Sequence, residues 1–435
     1  MSRNLNCVES PSNVNAHCCL AETDGLLSPQ EARERLLSLI TGPLEAESVA
    51  LEALHGRVLS APVISPMAVP RHTNSAMDGI ALAWPEAGTG NIDEGWLCVG
   101  RQLAGMPLPH AIGHGECIKI TTGAPLPSGV DTVIMQERLQ WQGDRVYVQQ
   151  PQSVRQGQNV RQAGEDITVG SKVLNAGTRL NAAQLGILAS LGLTRCDVHR
   201  RPQVAVFSTG NEVTAPGQPL GESGIYDANR YALMALVREH GGDVLDLGIL
   251  PDRQQDIRDA LCQAAEQADL VLTSGGVSEG DADMTQRALR AEGQMAFWQL
   301  AMKPGKPMAC GYLGSRRAVF LGLPGNPVAA MVTFLQFAAP LLARLEGQLA
   351  HQGLPVCRTA VSDQVINSRL GRTDFLRGCH YSDTAGQLWV REAGPQGSGI
   401  LSSMALADCL IEVGPQQDRI DIGTPVTIQL LKRYS

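Results

Sequence analysis

The stretch DLVLTSGGVSEGDADM, Asp269 to Met284, decides how the chain is read. Its apolar run, Leu270 to Leu272, breaks into Thr273-Ser274-Gly275-Gly276, and a loop with Glu279, Asp281 and Asp283 follows before a helical pattern resumes. That order predicts a buried parallel strand, a glycine turn and a helix start. Glycine lets the backbone approach a ligand closely, and the free N–H groups of a helix N-terminus favour anions. Acidic side chains beside them suit a hard cation. One loop can therefore hold a phosphate and its metal together.

Outward from this stretch, strands alternate with helices from Pro202 to about Leu345. VAVFS (204–208) runs into Ser208-Thr209-Gly210-Asn211-Glu212, and a helix from about Ala228 to His240 begins beyond Asp227. DVLDLGIL, QQDIRDALCQAAEQA, AFWQLAMKPGKP and AVFLGLPGNP continue the alternation, and the last helix opens with Asn326 as N-cap and Pro327 at its first position. The pattern predicts a doubly wound, mostly parallel α/β sheet with ligands in the crevice beyond the strand C-termini.

Ser208-Thr209-Gly210, Thr273-Ser274-Gly275-Gly276 and Pro324-Gly325-Asn326-Pro327 each follow a strand. Three small polar loops on one rim are expected to form a wall of N–H and hydroxyl donors for phosphate. A single loop of this kind is better explained by turn geometry; three together argue for a site. Glu212, Asp252, Asp281 and Asp283 follow different strands at the same rim, and carboxylates beside a phosphate suit magnesium. Asp252, Asp281 and Asp283 are each equally suited to capping a helix, so the metal reading rests on the group. Lys303 and Lys306, in a loop stiffened by two prolines and a glycine, read either as anion-gripping groups or as solvated lysines.

The flanking segments differ in texture. In SPQEARERLLSLI, Ser28 is the expected N-cap, Pro29 the first helical residue and Glu31 the partner in a capping box. In NAAQLGILASLG, Asn181 caps, Gln184 stands three residues on and Gly192 stops the helix. These two helices are expected to pair within one discontinuous linker unit, 25–66 with 161–196. Residues 67–160, rich in glycine and proline with short runs such as CIKI (117–120), predict an inserted β domain. The α/β domain is assigned to 197–348. Residues 353–435 return to short strands and turns, as expected of a C-terminal β-barrel. Met1 to Asp24 read as a disordered extension. On physics alone Asp78-Gly79 is a hairpin turn, and Thr122, Arg372, Arg377 and Ser398 are ordinary surface residues.

The chain of 435 residues is too long for one ordinary core, and its 43% hydrophobic and 18% charged residues give a globular balance. A net charge of -8 with no basic run gives a nucleic-acid or anionic-membrane surface no compositional support. No signal peptide and no apolar run of membrane-spanning length is visible. The 11 cysteines form no CxxC pair, which predicts reduced thiols in a cytoplasmic protein. No Ser-His-Asp arrangement, HExxH or Walker loop is present, and His110 with His114 lies in a loop rather than on a helix.

NSAMDGIAL, ITTGAPLPSGVDTVIMQE, GEDI, AGTRL, FSTGNEV, SGGVSEGDAD, AFWQLAMKPGKP and GLPGNPVA occur in this order. Together they resemble the molybdopterin molybdenumtransferase family, that of MoeA and the gephyrin E domain, from about residue 26 to the C-terminus. The resemblance implies an L-shaped homodimer of four-domain subunits. It also implies a magnesium- and molybdate-dependent hydrolysis of adenylyl-molybdopterin that inserts molybdenum and releases AMP. By resemblance, Asp78, Thr122 and Asp166 match functional positions of the inserted domain and its hinge. Glu212, Asp252 and Asp283 match acidic active-site positions, and the resemblance implies that they are ligands of Mg2+. Lys303 matches an anion-site lysine, and Arg377 and Ser398 match positions that the C-terminal domain contributes to the cleft. A molybdopterin adenylyltransferase is the implied partner. The chain departs from the family pattern at Gln299, commonly lysine, at Asn211, commonly aspartate, and in the acidic loop at Glu279 and Asp281. Two other functions remain open on sequence: the adenylyltransferase itself, whose single domain resembles 202–345, and a non-catalytic scaffold of the gephyrin type.

Overall fold

The computed structural model describes residues 25–85, 92–106, 111–251, 253–275, 293–349 and 353–431. Its helices are α1 (Pro29–Ser38), α2 (Ala182–Ser190), α3 (Asn229–Glu239), α4 (Gln254–Gln267), α5 (Pro327–Thr333), α6 (Ala339–Leu345) and α7 (Leu401–Leu406). The α/β segment builds one six-stranded sheet from β1 (Gln203–Thr209), β2 (Asp243–Leu250), β3 (Leu270–Ser274), β4 (Gly293–Gln299), β5 (Pro307–Leu313) and β6 (Ala318–Leu323). The spatial order is β2-β1-β3-β6-β5-β4.

The pairings β2–β1, β1–β3 and β3–β6 are parallel, whereas β6–β5 and β5–β4 are antiparallel. The four residues 314–317 that join β5 to β6 leave no room for a crossover helix, so these two strands fold as a hairpin. Side chains alternate between two covered faces, as a doubly wound sheet requires. Val204, Val206, Leu270 and Leu272 pack under α3 and α5–α6, while Ala205, Phe207, Val271 and Phe320 pack under α4.

Helices α5 and α6 are joined through a π-helical stretch, Phe334–Ala338. Pro340 lacks an N–H and its ring crowds the carbonyl four residues back, which favours a widened turn there. Phe334, Phe337 and Leu341 are fully buried, each contributing about 2 kcal/mol of apolar burial. The expectation that no apolar run reaches spanning length is corrected here. Pro327–Leu345 is long and apolar enough to cross a membrane, but 83% of it lies buried as a core helix of the α/β unit.

Both capping boxes form: Ser28 with Glu31 opens α1, and Asn181 with Gln184 opens α2. The pairing expected between these helices does not. Ala32, Leu36 and Ile40 of the α1 region are buried with Phe334 and Leu341 of the α/β core. Leu27 extends the hydrogen bonding at the end of β4, donating to the Gln299 carbonyl at 2.9 Å and accepting from the Ala301 N–H at 2.7 Å. Helix α2 instead buries Leu188 with Leu54, Leu59 and Val198. With Leu27 bonded to the end of β4, α1 begins against the α/β core and turns its buried face, Pro29, Ala32 and Leu36, into it.

Ala46–Ala50 pairs antiparallel with Arg195–His199, and Val63–Ile64 with Lys172–Leu174. Between these crossings lies a six-stranded sheet of Gly79–Leu82, Trp96–Gln102, Glu116–Ile120, Thr132–Met135, Leu139–Gln142 and Arg145–Val148. The hairpin reading of Asp78-Gly79 is corrected by this sheet. Gly79 opens a strand, and a Cβ there would stand 1.8 Å from the Ile134 carbonyl oxygen, so close strand contact demands the glycine.

The C-terminal segment closes into a five-stranded barrel of Cys357–Ser362, Leu388–Glu392, Thr373–Ser382, Cys409–Val413 and Pro425–Leu430. Closure leaves no free sheet edge. Met302–Lys303 runs parallel to Thr373–Asp374 and ties the barrel to the α/β unit.

Candidate functional site

Strand register brings the predicted loops together. Ser208 is the register partner of Ser274, and Ser274 of Leu323, so the loops after β1, β3 and β6 leave the sheet at one level. β2 ends at Leu250, opposite Thr209. Because β5 runs the other way, it begins at this rim, with Pro307 opposite Gln299 and Ala309 opposite Gly322. Ser208-Thr209-Gly210, Ser274-Gly275, Pro324-Gly325-Asn326-Pro327 and the loop carrying Lys303 and Lys306 therefore share one rim. Gly276, Asp252, Glu279, Asp281 and Asp283 lie outside the described residues.

Glycine is required where these loops touch. Gly275 has φ 94°, and a Cβ there would lie 3.4 Å from the Thr209 carbonyl oxygen. Gly305 has φ 105°, and its Cβ would stand 2.4 Å from the buried Thr333 Oγ1 of α5. Only glycine lets the Lys303–Lys306 loop rest on that helix, with both lysine side chains exposed.

The donor wall is narrower than the sequence predicts. Pro324 and Pro327 have no N–H. The Gly275 N–H donates to the Leu323 carbonyl at 3.1 Å, and the Val328 N–H to the Ser398 carbonyl at 3.1 Å. Ser208 Oγ donates to Asp227 Oδ1 at 3.1 Å.

Glu212 is exposed, and its carboxylate folds over Gly210, each oxygen 2.8 Å from where a Cβ on that glycine would stand. Among the described residues no three His, Cys, Asp or Glu side chains gather as a metal set. Asp252 and Asp283 fall outside that comparison.

Three residues at the start of α3 were not singled out by sequence. The buried Asp227 carboxylate accepts from Ser208 Oγ, from the Arg230 N–H at 3.1 Å and from Arg230 Nε at 2.9 Å. Arg230 Nη1 donates to Asp246 Oδ1 at 2.6 Å. Burial works against the Arg230 charge, but these two carboxylates outweigh it and hold its pKa above the ordinary value. Asn229 Nδ2 donates to Ser274 Oγ at 2.6 Å and to the Gly325 carbonyl at 2.7 Å. In sequence, Asp-Ala-Asn-Arg resembles any helix start, and its three polar side chains within four residues are the only signal.

Arg377 is not a surface residue: it is 1% exposed. Its Nη2 donates to the Pro395 and Gly397 carbonyls at 3.0 Å each, and its Nε to Ser403 Oγ at 3.1 Å. Burial lowers its pKa. Arg377 thus holds the loop whose Ser398 carbonyl closes the first turn of α5.

In the inserted unit, Asp78 Oδ1 accepts from the Thr122 N–H at 2.6 Å and from Thr122 Oγ1 at 2.9 Å. The backbone bond first, then the hydroxyl, hold the Asp78 pKa below the ordinary aspartate range. Asp166 is exposed beside Val69, to whose carbonyl its N–H donates at 3.0 Å. Among the described residues, no hydrogen bond or ion pair joins Asp78, Thr122 or Asp166 to the rim of the α/β sheet.

Three family models match the chain in succession: MoeA N-terminal region (domain I and II) over 27–192, probable molybdopterin binding domain over 205–344, and MoeA C-terminal region (domain IV) over 359–431. A molybdopterin molybdenumtransferase of Haemophilus influenzae is 38% identical over 406 residues, covering 93% of this chain and 98% of that protein. One from Nostoc sp. is 34% identical over 388 residues, covering 88% of each. A crystal structure of the molybdopterin biosynthesis MoeA protein from Pyrococcus horikoshii OT3 superposes with a TM-score of 0.79 at 29% identity, covering 93% of this chain and all of that one. On this agreement of sequence, domain order and fold, the chain belongs to the molybdopterin molybdenumtransferase (MoeA) family.

Proposed function

We propose that the chain inserts molybdenum into adenylylated molybdopterin, hydrolysing the adenylate and releasing AMP. Membership of the family makes it a transferase of molybdenum cofactor biosynthesis. The observation that carries the finer reading is the common level of Ser208, Ser274 and Leu323, within the segment that matches the molybdopterin binding model.

In this reading the substrate's phosphoanhydride lies along the rim. Lys303 and Lys306 offset its charge, with Ser274 as a hydroxyl donor and Thr209, Gly210, Gly275 and the 324–327 loop as the floor. Gly276 is proposed as a further contact on sequence grounds. Mg2+ is assigned to Glu212, Asp252 and Asp283. The exposed carboxylate of Glu212, which has no hydrogen-bond or ion-pair partner among the described residues, fits the oxygen donors that such an ion takes. When bound, the ion neutralises charge on the phosphate oxygens. Water adds to the adenylate phosphorus as the anhydride P–O bond breaks; AMP keeps the water oxygen, the pterin phosphate leaves with the bridging oxygen, and the protons of the water pass to the products or to solvent. Molybdate, a tetrahedral oxyanion, suits the donors that suit phosphate.

Asp78, Thr122 and Asp166 are proposed to act from the inserted domain, and Arg377 and Ser398 from the barrel through the loop they order. We further propose that the chain works as a homodimer and receives its substrate from a molybdopterin adenylyltransferase. The domains are proposed at the boundaries given above, except that 25–40 packs with the α/β unit. The described cysteines are all free thiols, which fits the reducing cytoplasm as the site of the reaction.

The test is AMP release from adenylyl-molybdopterin by the purified chain. Release is expected only with both Mg2+ and molybdate present. A rate no higher than without protein rejects the proposal.

A further inference from the structure

We infer that Asn229 fixes Ser274 as a hydrogen-bond donor to the substrate phosphate, so that Asn229 is a positioning residue for binding at this rim. The inference rests on the reading that the rim receives a phosphorylated pterin.

The geometry determines the direction of each bond. A backbone carbonyl cannot donate, so the Gly325 carbonyl, 2.7 Å away, must face the NH2 end of the Asn229 amide. The same Nδ2 lies 2.6 Å from Ser274 Oγ. Its two protons therefore go to Gly325 and Ser274, and the Ser274 oxygen is the acceptor of that second bond. The hydroxyl proton of Ser274 is then directed elsewhere, and no acceptor among the described residues takes it.

Ser208, at the same register level, is polarised the other way. Its proton goes to the Asp227 carboxylate, which accepts only. Of the two serines, Ser274 alone retains a proton for an anion. One segment, Asp227 to Asn229, thus assigns opposite roles to the hydroxyls that end β1 and β3, and pins the loop after β6.

The probe is molybdopterin itself, which carries the phosphate, bound anaerobically to the full chain and followed by ultrafiltration. Loss of one hydrogen bond to a charged group is expected to weaken binding about tenfold. Asn229→Ala and Ser274→Ala are each expected to show that loss. The double variant should bind about as weakly as either single one, because Asn229 acts through Ser274. Losses that multiply to about a hundredfold, or wild-type affinity in Asn229→Ala, overturn the inference. A purely structural clamp would weaken binding whether or not Ser274 is present. Should Asn229→Ala fail to fold, Asn229→Asp replaces it: its carboxylate takes the Ser274 proton, and the same direction is expected. If the wild-type chain does not bind molybdopterin, the functional reading fails and this inference with it. Wild-type binding that Asn229→Ala matches rejects this inference alone.

Discussion

The N–H of Val328 donates to the carbonyl of Ser398 at 3.1 Å, so a loop of the C-terminal barrel closes the start of α5 beside the Pro324–Pro327 loop. Arg377 holds that loop through the carbonyls of Pro395 and Gly397. Arg377→Ala leaves both carbonyls and Ser403 without their donor. The expected loss is about 2–3 kcal/mol of stability, together with reduced AMP release as Ser398 shifts. Although burial lowers its pKa, a guanidinium stays charged at working pH. The effect should therefore be flat between about pH 5 and 9 in denaturant titrations.

Arg179 and Glu346 form the corresponding tie between the linker segment and the end of α6. Glu346 accepts from Arg179 Nη2 and from Gln348 Nε2, and it is buried. Burial outweighs Arg179 and raises the Glu346 pKa above the ordinary carboxylate range. With the folded pKa raised, this group's contribution to stability is complete below the unfolded pKa and is lost as pH rises through the folded one. Arg179→Ala should cost about 3 kcal/mol at neutral pH. The cost should shrink as pH falls through the raised folded pKa and Glu346 takes up a proton. A pH-independent cost would contradict the assignment.

Asp78 titrates in the opposite sense. Its folded pKa is depressed by the Thr122 N–H first and the hydroxyl second. Its contribution is present above the ordinary aspartate pKa and lost as pH falls through the lowered value. Thr122→Val keeps the N–H, so the Asp78 pKa should rise only part of the way in a carboxyl NMR titration. Full return to the ordinary value would mean that the hydroxyl, not the backbone, is the main cause.

Gly305 decides whether the lysine loop can rest on α5. Gly305→Ala places a methyl against Thr333 Oγ1 at a φ of 105°, and about 1–3 kcal/mol of strain is expected. Lys303 and Lys306 should move off the rim. The KM for adenylyl-molybdopterin should rise more than kcat falls, and equal losses in both would count against anion gripping by this loop.

Much of this architecture was legible in the sequence because it is local. Ser28 with Glu31, Asn181 with Gln184, and Asn326 before Pro327 mark helix starts that the structure reproduces. The three rim loops follow from apolar runs that end in glycine. What escaped depends on long-range choice. The destination of α1, the hydrogen bond between Asp78 and Thr122, and the burial of Arg377 each depend on partners far along the chain. Asn229 was hidden for another reason: its amide serves two loops, one 45 and the other 96 residues away, while locally it resembles an ordinary first residue of a helix.

The most direct test of the account is a crystal structure of the chain grown with Mn2+ and AMP, read by anomalous scattering. The account predicts a metal peak at the rim within about 2.1 Å of carboxylate oxygens, contributed by Glu212, Asp252 and Asp283. Those three side chains on separate faces, or a peak away from the loops after β1, β3 and β6, would contradict it.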